Sequence, residues 1–371
     1  MINRNIARIY GLILGVCVSA LAVAAEGETA KPKAAKKAVA AEVKTETIVL
    51  RSDHATAHVL QDLIKQYQAT KLGKVELQPF STISALDAVN AGTADVAGTA
   101  RPAMPQRAEE QGTNFLPLAW YAMVPIVAAE NPVNDISLKQ LHDLYLGRLT
   151  NWKDLGGADA PVNLDGVAPP LDGVEYSTRL LLFHFGDQDV AIPRLYVNVD
   201  KLEEDIELNA HGLGLSTLSN AGHNAKVKVL SVEGVRATPA TIADGSYPLY
   251  GVMYLATRDD AARHADVAKF IEFTSSDAGK AILRKHDVVP YADASALIDK
   301  QAERTAFIDA HLRVAPVPMP TSSGTPVSAP IATAQAMQRV APTSERTLEA
   351  KDRADRAKAE QAAAKTADAG H

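Results

Sequence analysis

The chain has one cysteine, Cys17, no surplus of basic residues and, after its first 25 residues, no apolar run long enough to cross a bilayer. Each shortage excludes something. Cys17 lies inside the N-terminal apolar run, so a chain cleaved near Ala25 keeps no cysteine and can use neither disulfides nor thiol catalysis. The formal charge is -6. Setting aside Arg4 and Arg8, the surplus of two positive charges in residues 26–44 and the surplus of one after residue 313 leaves about -11 on the rest of the chain. A body so acidic lacks the basic footprint of a nucleic-acid binder. There is no Gly-x-Ser-x-Gly elbow and no Walker loop, and the carboxylates are too many to single out a hydrolase pair, so no enzyme is expected. His54 and His58 would share one helix face, but no third ligand follows at metal spacing; neither a metal nor a cofactor is expected.

What the chain does have begins with Arg4 and Arg8 ahead of the apolar run from Ile9 to about Val23, closed by small residues before Glu26. That is the layout of a cleavable export signal over residues 1–25, which predicts a periplasmic protein. An uncleaved anchor and a lipid on Cys17 are the alternatives; Val16 is larger than the small residue wanted before a lipidated cysteine. Residues 26–44 are an Ala/Lys/Glu spacer. Residues 314–371 are first Pro/Ser/Thr-rich and then Ala with balanced charges, which predicts a disordered or loosely helical tail with no core face.

Between these ends strands and helices alternate. Thr47 to Leu50 is β-rich, Val59, Leu60, Leu63, Ile64 and Tyr67 recur at helical spacing, and Val75 to Leu77 is a second strand. The next stretch, Ser81 to Pro102, sets the hydroxyls of Ser81, Thr82 and Ser84 where a helix cap belongs, then a short strand containing Asp95, then Arg101. βαβα order predicts a mostly parallel sheet with helices on both faces, and ligands in such sheets sit beyond the carboxyl ends of the strands. Ser52 and Asp53, after the first strand, would then lie beside Ser81 and Thr82, after the second. Two helix starts with unpaired N–H groups would converge on one place, an arrangement that attracts an anion. A third helix start is expected at Glu175, Tyr176, Ser177 and Thr178.

The residues in between carry a resemblance. YLGRLTNWKDLGG, from Tyr145 to Gly157, is similar to the helix end and Gly…Asn-Trp turn of the PstS-like phosphate-binding components of ABC importers. TIVLRSD, AGTADVAGTARP, ENPVNDISLKQL, the segment from Val227 to Leu255 and FIEFTSSDAGKAILRKHDVVP keep that family's order and spacing from about Thr45 to about Ala292. The resemblance implies an α/β, two-lobed periplasmic binding protein of type II, each lobe a mixed, mostly parallel sheet with flanking helices. It would be hinged between lobe I (45–123 and 250–313) and lobe II (124–249).

It further implies a monomer that holds inorganic phosphate or a related oxyanion in the inter-lobe cleft and delivers it to an ABC permease in the inner membrane. Asp95 falls on the family's ligand aspartate, which would accept a hydrogen bond only from a protonated oxyanion. Asp172 stands where the family has its ligand arginine, so the positive charge would have to come from Arg51, Arg101 or Arg179, with Arg51 favoured for its place at a strand end. The expected ligand set is Arg51, Ser52, Asp53, Ser81, Thr82, Ser84, Asp95, Arg101, Tyr176, Ser177, Thr178 and Arg179. The altered third loop and the tail favour an alternative, a homologue with a changed ligand that acts in periplasmic signalling or as a scaffold.

Overall fold

A computed structural model describes residues 46–168, 171–260 and 264–312. The signal, the spacer, Cys17 and the tail lie outside the described residues, as do the expectations attached to them. Strand β1 (Thr47–Asp53) runs straight into α1 (His54–Ala69), whose buried Val59, Leu60, Leu63, Ile64 and Tyr67 are the helical stripe read from the sequence. β2 (Lys74–Phe80), α2 (Thr82–Asn90) and β3 (Val96–Thr99) follow, with β1 parallel to both β2 and β3. This parallel trio brings the ends of three strands and the starts of α1 and α2 to one edge.

β4 (Asn114–Ala128) is fifteen residues long, reaching four residues further back than its apolar core alone suggests. At about 3.3 Å per residue it spans roughly 50 Å, enough to run through both halves of the molecule. β5 (Asp135–Ile136) and α3 (Leu138–Tyr145) come next, and the Asn-Trp turn forms a 3₁₀ turn, Trp152–Leu155. Trp152 is buried there and its indole N–H donates to the carbonyl of His211 at 3.0 Å, so this motif stitches the core together. The second half continues with β6 (Asn163–Val167), α4 (Gly173–Phe183), β7 (Arg194–Tyr196), α5 (Val199–Ile206), β8 (Gly212–Thr217), α6 (Leu218–Ala221), β9 (Val227–Val229), β10 (Ser231–Val232) and α7 (Pro239–Ala243). The chain returns along β11 (Tyr250–Thr257) and ends its described part with α8 (His264–Ser275), α9 (Asp277–Lys285), β12 (Val289–Pro290) and α10 (Gln301–Leu312).

The main sheet has the order β2-β1-β3-β11-β4-β8-β6-β7. β4 is its spine. Asn114 to Ala122 pair antiparallel with β11, and Met123 to Ala128 pair with β8 and β9. At the change of partner the Met123 N–H donates to Leu249 of the returning chain at 2.8 Å, so two strands cross between the halves side by side. The fold is thus a two-lobed α/β architecture built on one continuous mixed sheet. We place the lobes at the bounds expected from the sequence, except that α10 packs on α3 and α4, which belong to the second lobe, with Ile308 and Leu312 buried.

Candidate functional site

At the end of β1 the chain turns into α1 through Asp53, which is buried. Its Oδ1 accepts the backbone N–H of Thr56 at 2.8 Å, capping α1. Its Oδ2 accepts the Thr82 hydroxyl at 2.9 Å, at the start of α2, and the Ala100 N–H at 3.0 Å, just past β3. One carboxylate thus collects donors from all three loops at the strand ends. Ser81 caps α2, accepting from the Ser84 N–H at 3.2 Å. The Ser52 and Thr56 hydroxyls are buried beside Gly98 without a hydrogen-bond partner.

α4 closes over this edge from the other lobe. Its start lies earlier than the sequence reading placed it: Asp172 is the cap, accepting the Glu175 N–H at 2.9 Å, so Tyr176, Ser177, Thr178 and Arg179 lie within the helix. The two lobes touch directly. The Thr82 N–H donates to the Leu171 carbonyl at 3.0 Å and the Ser177 hydroxyl donates to the Ala100 carbonyl at 2.9 Å, a carbonyl that also accepts the Tyr121 hydroxyl of its own lobe at 2.6 Å. Burial holds the Tyr121 hydroxyl well above the ordinary tyrosine range, so it remains a donor. Burial, and after it the charge of Asp53, pushes the Asp172 carboxyl up to about 7.

The approach depends on Gly173. A Cβ at that position would stand 2.8 Å from the Ala100 carbonyl carbon and 2.9 Å from its nitrogen, both backbone atoms that cannot step aside. Alanine is the better helix former by about 1 kcal/mol, so on propensity alone Gly173→Ala would stabilise α4. We expect the opposite. The lobes should separate, and amide exchange at Thr82, measured by hydrogen–deuterium exchange, should accelerate at least about tenfold, the equivalent of about 1.4 kcal/mol. Unchanged protection would show that the contact is not held at Ala100.

The structure brings Ser52, Asp53, Ser81, Thr82, Ser84 and Ser177 of the expected set to this edge. It adds Ala100, Tyr121, Asp172 and Gly173. Asp95 lies apart from this edge. Its Oδ2 accepts the Val49 N–H at 2.7 Å, at the opposite end of β1 and β3, four residues or about 13 Å along the strand from Asp53. The carboxylate that meets the convergent donors is Asp53.

The three candidate arginines are each held by other partners. The Arg51 Nε donates to Gln78 at 2.9 Å and its guanidinium lies over the Phe80 ring, on the β2 side of the sheet. Arg101 is fully buried on Glu110, at 2.5 and 3.1 Å, with the Tyr176 ring on its face. Arg179 grips Glu175 through Nε and Nη2 at 2.9 and 2.8 Å, and its Nη1 donates to the Gln188 carbonyl. Thr178 donates to the sulfur of Met123 at the crossing strands. Glu110 was invisible as a partner in the sequence because a pair nine residues apart across a loop has no periodic signature. Glu175, four residues from Arg179 on α4, had one, and could have been found as an i, i+4 pair.

Comparison with known proteins places these features. Residues 33–169 match the PBP superfamily domain. The phosphate-binding protein PstS of Bacillus subtilis (strain 168) is 27% identical over 195 residues, covering 50% of this chain and 61% of the relative. Protein SphX of Synechococcus elongatus is 26% identical over 208 residues, covering 51% and 61%. The chain thus spans about three fifths of the length of these relatives. Among solved structures, a phosphate ABC transporter substrate-binding protein with bound phosphate from Clostridium perfringens superposes with a TM-score of 0.61 at 20% identity, over 66% of this chain and 99% of the other. An ABC-type phosphate transport receptor from Vibrio cholerae gives 0.54 at 23%, over 65% and 99%. Residues 33–169 thus carry the likeness to the PBP superfamily domain, and the doubly crossed, two-lobed α/β fold is the one these solved phosphate-binding structures share.

Proposed function

We propose that the chain is a periplasmic binding protein, not an enzyme, that captures a protonated oxyanion of the phosphate class between its lobes for an ABC importer. One observation carries this reading: the starts of α1, α2 and α4, from both lobes, meet at one buried point where the Thr56, Thr82 and Ala100 donors converge on a single carboxylate. An oxyanion would find the same donors by displacing the Asp53 side chain. With Asp53 and Asp172 beside it, such a ligand must bring a proton to be accepted, which suits phosphate and excludes sulfate. The names of the relatives, phosphate-binding PstS proteins, support the same class, and export, a monomeric state and a permease partner belong to this proposal.

A second reading has its own observation. Asp53 and Asp172 already satisfy the helix-start donors from inside the chain, as they would in a homologue with a changed ligand that serves signalling or scaffolding. Calorimetry with phosphate and sulfate separates the two. In the closed form Asp172 is neutral below about 7 and adds a second negative charge above it. Phosphate should therefore bind about tenfold more tightly at about pH 5.5 than at about pH 8, and sulfate at neither. Absence of any phosphate heat at both values would remove the transport reading and leave the second.

A further inference from the structure

α1 belongs to the first lobe and α5 to the second, and their facing surfaces meet through one carboxylate and two imidazoles. The Asp200 Oδ2 lies 2.8 Å from His54 Nδ1 and its Oδ1 lies 3.0 Å from His58 Nε2, while the Asn198 amide lies 3.3 Å from His54 Nε2. A second contact of the same chemistry sits further along the interface. His223, after α6, places Nε2 3.0 Å from Asp287, after α9. We propose that these histidine–carboxylate contacts form a proton-operated latch between the lobes, so that acid closes the molecule and base loosens it whether or not an anion is bound.

The surroundings support the direction. α5 also presents Glu203, whose carboxylate takes the Ser216 hydroxyl and adds negative charge near His58. α6 contributes no charged side chain to the α1 face. α9 and the residue after it set Lys285 and His286 on Asp62, one turn beyond His58, and α8 carries Asp266 and Lys269 near Tyr67 at the far end of α1. Near His223, Lys226 is paired with Glu207. The charges facing the two imidazoles of α1 are thus mainly negative. The hydrogen bond to Asp200 raises His58 above the ordinary imidazole value, and the same bond lowers Asp200. The sign follows. The contact is fully present below the ordinary histidine value and is lost as the pH rises through the raised one. Asp172 works in the same direction, because closure favours its protonated form.

This latch depends on the two-lobed fold and not on the nature of the ligand, so it is tested without any anion. In the full chain carrying Cys17→Ser, spin labels at Lys65→Cys on α1 and Lys153→Cys in the second lobe report the inter-lobe distance. Both positions are exposed. Exposed ion pairs are individually weak, so the closed-to-open ratio should rise about three- to tenfold between about pH 8 and about pH 5.5. His54→Gln with His58→Gln should remove most of that rise, since glutamine keeps a polar side chain but cannot take up the proton. Asp200→Asn should do the same from the other lobe without touching α1. A pH response that survives in both variants, or a parent protein with no response, overturns the latch. Loss of phosphate binding with the pH response intact would count against the proposed ligand and not against the latch.

Discussion

Replacing Asp53 by serine should turn a self-filled cradle into one that needs an outside anion. Serine still caps α1, but it cannot reach across as a charged acceptor to the Thr82 hydroxyl and the Ala100 N–H, which Asp53 now holds at 2.9 and 3.0 Å. Leaving two buried donors unmade costs about 2 to 4 kcal/mol in the absence of ligand, a loss that thermal or urea unfolding reads directly. The same change removes a negative charge from the place an oxyanion would occupy. Phosphate affinity of Asp53→Ser at about pH 8 should then exceed that of the parent by at least about tenfold, a gain of about 1.4 kcal/mol. Added phosphate should restore the lost melting temperature in proportion to the logarithm of its concentration. A folded Asp53→Ser protein whose melting temperature ignores phosphate would show that the convergent donors are not an anion site.

The second large effect lies beside the site. Arg101 is fully buried, and Glu110 is its charge partner at 2.5 and 3.1 Å, while the same carboxylate also takes the Met104 N–H at 2.7 Å and lies 3.1 Å from Arg107 Nε. Glu110→Ala strips the buried guanidinium of its hydrogen-bonded carboxylate and leaves it the Pro102 carbonyl, the Tyr176 ring and the more distant charge of Asp187. An uncompensated buried charge costs about 3 to 5 kcal/mol, which for a body of this size lowers the melting temperature by roughly 10 °C. Arg101→Met together with Glu110→Leu should recover much of the loss, because a well-packed apolar pair is close to neutral relative to a buried ion pair. A cost below about 1 kcal/mol for Glu110→Ala would mean that water reaches this arginine.

The two experiments also divide the roles that the sequence reading had joined. It grouped Arg51, Arg101 and Arg179 as sources of positive charge for a ligand, since each sits near a helix start or a strand end. The folded chain uses all three internally: Gln78 and Phe80 for Arg51, Glu110 and Tyr176 for Arg101, Glu175 and Gln188 for Arg179. The charges around Asp53 and Asp172 are therefore those of two carboxylates at helix starts, where burial and the neighbouring Asp53 push Asp172 toward its protonated form.

Local chemistry was legible from the residues. The Val59 to Tyr67 stripe, the Ser81 cap and the βαβα alternation depend on contacts within a few positions, and each appears where periodicity and capping preference put it. The start of α4 was missed by three residues because aspartate at 172 was read as a lost ligand and not as a cap, although Asp is among the best N-cap residues. Asp95 was misplaced for a different reason. Resemblance aligned it with a ligand, but its position at the beginning of β3 points its carboxylate at the Val49 N–H, a contact between strands forty-six residues apart.

By itself the sequence determined that the chain is an α/β body with capped helix starts at Ser52–Asp53 and Ser81–Thr82, because caps and apolar periods act over one or two turns. The tertiary structure alone decided which charge meets which. Only the parallel register of β1, β2 and β3 brings Thr56, Thr82 and Ala100 to one carboxylate, and only the approach of Gly173 to Ala100 sets Asp172 beside it. The pairing of Arg101 with Glu110 and of two histidines with Asp200 likewise needs loops and lobes to be folded together. Electrostatic partners are chosen by distance through space, which no spacing along the chain encodes.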